Sequence, residues 1–119
     1  MKEYVDTMGE CVNSIDPEAD INSLVPIAER IESCGIDMFK KIHFIALEPY
    51  FNTNVYEAAV DIANVINYVT PLYMNILNDC YCARLSGDDE KMAELLYRDK
   101  KCAIGKISIA KNADWYAKE

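Results

Sequence analysis

Asp99 and Lys106 stand seven residues apart in a helix-periodic stretch. At about 100° per residue they share a face with Met92, Leu96, Ala103 and Ala110. A carboxylate on an apolar face costs several kcal/mol unless it is paired and hydrogen-bonded. Asp99 therefore predicts a partner: Lys106 through a neighbour, or Arg84 from the apolar side of the preceding long helix. With Asn75 or Asn78 these residues would form a polar ligand site between the last two long helices. The same pattern also describes a half-exposed ion pair at the edge of a core, with no ligand.

Other chemistry is thinly represented. His43 is the single histidine, and no Glu-x-x-His pattern accompanies it, so a di-metal carboxylate bundle site is not built. No Gly-rich phosphate loop, His-Glu-x-x-His or Gly-x-Ser-x-Gly occurs, and four glycines in all leave little material for a phosphate cradle. Of the five cysteines (Cys11, Cys34, Cys80, Cys82, Cys102), only Cys80 and Cys82 are close. On a helix their side chains diverge by about 200°, so they cannot share one metal ion. Neither a metal nor another cofactor is expected, and no nucleophile–base pair can be assembled.

Aromatic residues suggest a different activity. Tyr50 and Phe51 fall between predicted helices, and Trp115 and Tyr116 fall in a short tail. Aromatics presented on a rigid helical scaffold commonly anchor protein–protein contacts. The competing expectation is that the tail folds back and Trp115 plugs the end of the bundle.

These side chains depend on helices that the sequence marks clearly. Met1, Tyr4, Val5, Met8, Cys11, Val12 and Ile15 follow an amphipathic helical period over residues 2–15, with Gly9 placed on the polar side. Asp16-Pro17 signals a break and restart, giving one or two turns to Val25. A helix starting near Ser23 would leave Pro26 in its first turn and end at Gly35. Residues 36–47 predict a further helix capped by Asp37, with Phe39, Ile42, Ile45 and Ala46 inward; a strand over 43–47 competes with it. Glu48-Pro49 ends that element.

The organising stretch is residues 54–85, with Asn54 and Glu57 in capping-box register. Its polar residues Glu57, Asp61, Asn64, Asn67, Asn75, Asn78 and Asp79 occupy a narrow arc, which predicts a central helix surrounded on most sides. Pro71 predicts either a kink or a full break. Ser86-Gly87-Asp88 marks a helix junction, and the last long helix spans 89–111 with Met92, Leu95, Leu96, Cys102, Ala103, Ile107 and Ala110 inward. The expected fold is all-α: a single domain of four to six helices in which the long helix pairs antiparallel with helix 89–111.

Composition sets the outer bounds. The chain has 119 residues, 51% of them hydrophobic, enough for one core and too few for two. No apolar run approaches the ~18–20 residues of a membrane span, and the acidic N-terminus does not read as a signal peptide, so a cytoplasmic protein is expected. The net charge is −8. Residues 1–37 hold nine acids against Lys2 and Arg30 and carry nearly all of the excess. That disfavours direct binding to nucleic acid and suits a basic partner. The composition therefore points to a small non-enzymatic protein acting through protein–protein contacts, as a regulator, adaptor or inhibitor, with homodimerisation through an apolar helix face a natural extension. A ligand-binding module at Asp99, and an inhibitor that imitates nucleic acid with its acidic first third, are the alternatives.

Overall fold

The computed structural model describes residues 1–46 and 53–118; side chains at 44–46, 53–54 and 79–86 are outside the description. It is an all-α bundle of four substantial helices and a one-turn fifth. They are α1 (Lys2–Asn13), α2 (Ile21–Ala46), α3 (Thr53–Ser86), α4 (Asp89–Lys111) and α5 (Asp114–Ala117). The long axis of 52 Å is set by α3, whose 34 residues span about 51 Å at 1.5 Å per residue.

α3 is central because its apolar residues recur in strict alternation of four and three. Ala58, Ile62, Val65, Val69, Leu72 and Ile76 are all buried, as a knobs-into-holes seam requires. α2 packs on one side of it and α4 on the other, while α1 closes the bundle by packing against α2 and α4. α3 and α4 run antiparallel: Asn75 meets Asp99, Tyr68 meets Lys106, and Asp61 meets Trp115 just beyond α4. The bundle thus runs up, down, up, down.

Several expectations are corrected. α2 is one helix, where the sequence suggested short turns to Val25, a stop at Gly35 and a new start capped by Asp37. Residues 14–20 form turns instead, with the Asp16 carboxylate accepting from the Glu18 amide. Asp20 then caps α2, its carboxylate accepting from Ser23 N at 2.9 Å. Pro26 lies in the exposed second turn, where it removes a single backbone hydrogen bond. Gly35 costs roughly 1 kcal/mol of helix propensity, but stopping there would forfeit the burial of Met38 on the same face as Ile31, which is worth more. Of the two outcomes left open at Pro71, the full break does not occur: α3 is one helix through it, the proline is exposed, and the Thr70 hydroxyl donates to Ile66 O at 2.7 Å one turn back. The junction after α3 is as expected, with Gly87 at φ +62° and the Asp88 carboxylate accepting from Lys91 N.

Some faces were also misjudged. Phe39 is 61% exposed, because the seam positions on that stretch are taken by Met38 and the half-buried Ile42. Cys102 is exposed, Ala103 occupying the seam beside it. Gly9, assigned to the polar side, is buried, and a Cβ there would lie 3.3 Å from Lys111 Nζ and 3.5 Å from Ile107 Cγ2. The absent side chain lets α1 approach α4. The capping box at Asn54 falls outside the described side chains.

These contacts separate two glycines in one experiment. A Cβ added to Gly105 would meet nothing within 4 Å, so Gly105→Ala should stabilise the protein by about 0.5–1 kcal/mol through helix propensity alone. Gly9→Phe should destabilise it by about 1–3 kcal/mol through overpacking against α4. Urea denaturation followed by circular dichroism reads both.

Candidate functional site

Asp99 is the one buried charged residue among those described, 7% exposed. It occupies the position between Leu96 and Ala103 on the buried face of α4. Its carboxylate accepts from the Asn75 amide of α3 at 2.5 Å, and its other oxygen lies 3.5 Å from an Arg98 guanidinium nitrogen. Arg98 is largely solvent-exposed, so that ion pair adds little; the Asn75 bond satisfies the buried oxygen.

Of the predicted ligand cluster, the structure therefore brings together Asp99 and Asn75. Lys106 turns elsewhere, its ammonium 4.7 Å from the centre of the Tyr68 ring on α3, in cation–π geometry. Asn78 is exposed, and the Arg84 side chain lies outside the described residues. What this arrangement does chemically is couple α3 to α4: a polar pair at a seam position fixes the register of two helices.

The aromatic candidates divide similarly. Tyr50 and Phe51 lie outside the described residues. Trp115 is 4% exposed, its indole N–H donating to the Asp61 carboxylate of α3 at 2.7 Å. Tyr116 packs edge-on to it, donates its hydroxyl to Asp6 of α1, and lies under Lys2 Nζ. That hydrogen bond to Asp6 holds the Tyr116 phenol above its usual pKa. The tail thus closes one end of the bundle by joining α1 and α3.

Sequence reasoning missed the residues that hold α1 in place. Lys100 of α4 donates to Ile15 O at 2.6 Å and to Asn13 O at 3.4 Å. Asn13 ends α1 and Ile15 lies just beyond it, where the helix dipole favours a cation and the last turn of α1 has no basic residue. On its other side α1 borders α2 across an open groove of about 520 Å³ lined by Tyr4, Cys11, Arg30, Cys34 and Asp37, among others. The Cys34 thiol donates to Tyr4 O there. Burial first, then neighbouring Cys11 and Asp37, push its pKa up to about 11.

No group of three His, Cys, Asp or Glu side chains among the described residues is placed to hold a metal ion, and no described helix is long and apolar enough to cross a membrane. The site and fold define a small up-down-up-down helical bundle with a polar clamp in one seam. No family model, curated protein or solved structure matches this chain.

Two expectations follow. Trp115→Ala should cost about 3–5 kcal/mol in chemical denaturation, the range for removing a buried large aromatic. Because the Cys34 pKa is raised from 9.0 to about 11, its protonated form is favoured by folding. The stability this contributes is present below pH 9 and is lost as pH rises towards 11. Timed iodoacetamide labelling at pH 8 should accordingly modify the exposed Cys102 well before Cys34.

Proposed function

We propose that this protein acts through protein–protein contact and not by catalysis. The observation that carries the reading is a set of exposed large apolar side chains on α2 and α3, two helices that pack against each other. Ile36 and Phe39 on α2 are 46% and 61% exposed, and Tyr56 and Val60 on α3 are 56% and 42% exposed. Clustered apolar side chains on one face of a small protein mark interaction surfaces more often than singly scattered ones. A strongly acidic remainder keeps the molecule soluble and steers approach towards a partner of opposite charge.

The alternative of a ligand module at Asp99, Lys106, Arg84, Asn75 and Asn78 draws less support, since Asp99 and Lys106 are each engaged by the protein's own groups. Free thiols at Cys11, Cys34 and Cys102 suit a reducing compartment such as the cytoplasm. On this reading the regulator, adaptor or inhibitor role belongs to the α2/α3 face and not to the tail aromatics.

A photoreactive phenylalanine analogue at position 39 tests this in the cells that make the protein. Irradiation should yield a discrete protein adduct from position 39 and none from the exposed position 108 on α4. Equal or absent adduct formation at both positions would remove the α2/α3 face as an interaction surface.

A further inference from the structure

The exposed face of α2 has an internal symmetry in its charges. Glu29, Glu32, Ile36, Phe39, Lys40 and His43 fall within an arc of about 100° on the helical wheel. The arc lies on the α3 side of α2, because the opposite flank, with Arg30, Cys34 and Asp37, lines the groove against α1. Glu29, Lys40 and His43 are exposed and Glu32 is half-buried. Ile36 stands at the centre: Glu32 precedes it by four residues and Lys40 follows by four, while Glu29 precedes by seven and His43 follows by seven. The face is acidic towards the start of the helix, apolar in the middle and basic towards the end.

We infer that this face binds a second copy of the chain, with the two α2 helices antiparallel across a two-fold axis at Ile36. This deepens the interaction reading above and rests on it. A two-fold contact is isologous, so each residue meets the one equally far on the other side of the axis. Ile36 then packs on Ile36 of the second copy, with Phe39 flanking it. Lys40 meets Glu32 and His43 meets Glu29, each pair occurring twice. A parallel arrangement would oppose like charges instead, Lys40 against Lys40 and Glu32 against Glu32. Two bodies of net charge −8 repel, so they approach only where local charges and apolar surface complement one another. This face provides both.

Sedimentation velocity over a concentration series tests the inference with Lys40→Glu and Glu32→Lys, both surface changes, with helix content checked by circular dichroism. The wild type should dimerise. Each single variant should self-associate at least about tenfold more weakly, since two like-charge pairs then face each other. An equimolar mixture of the two variants should recover the dimer, because both pairs between positions 32 and 40 in the mixed species are again of opposite sign. A wild type that stays monomeric throughout would overturn the inference while leaving a different protein partner for the same face. Dimerisation unaffected by either variant, or weakened variants that fail to recover on mixing, would overturn the antiparallel α2 contact.

Discussion

The structure depends on the seam of α3. Six buried residues, Ala58, Ile62, Val65, Val69, Leu72 and Ile76, alternate at spacings of four and three and give one helix a face that two others share. Leu24, Ala28, Ile31 and Met38 approach from α2, and Leu96, Ala103, Ile107 and Ala110 from α4. Burying such side chains contributes roughly 1.5–3 kcal/mol each for the larger ones. That is enough to carry α3 through Pro71 and α2 through Pro26 and Gly35, each of which breaks a local rule at a cost of about 1–3 kcal/mol. Continuity of the long helices is thus a property of the seam and not of local propensity.

A seam made only of aliphatic residues specifies its register loosely, since Val, Ile and Ala interchange at small cost. Asp99 removes that freedom. Its carboxylate is buried and finds the Asn75 amide in one register of α4 against α3; a shift by one turn would leave both groups unpaired in an apolar environment. Lys106 over Tyr68 and Trp115 on Asp61 repeat the same register further along. Of the polar residues that suggested a ligand site, Asp99, Asn75 and Lys106 link α3 and α4 in this register.

α1 is the weakest partner of the four, only 12 residues long, and helices of that length are marginal by themselves. It is held at three points by the rest of the molecule: its C-terminal carbonyls by Lys100, its middle by the close approach at Gly9, and its start by Tyr116 through Asp6. With the interior spent on these internal contacts, the large apolar side chains left on the surface include Ile36 and Phe39 on α2, Tyr56 and Val60 on α3, and Tyr97, Ile104 and Ile109 on α4.

While the continuity of α3 through Pro71 and the burial of Asp99 were left open, amino-acid order alone was sufficient for the all-α class, the outer limits of α3 and α4, the Gly87–Asp88 junction and the position of Asp99 on the apolar face of α4. Each of these follows from periodicity or from a cap within a few residues, which chain-local chemistry expresses directly. Tertiary structure decided the rest. Whether Trp115 faced solvent or Asp61, whether Gly9 lay outside or against Ile107, and whether Asp99 met Lys106 or Asn75 depend on groups brought together from distant parts of the chain. So does the exposure of Phe39, which an apolar residue type wrongly suggested was inward. A helical period says which residues share a face, but only the packed neighbours determine which face is covered.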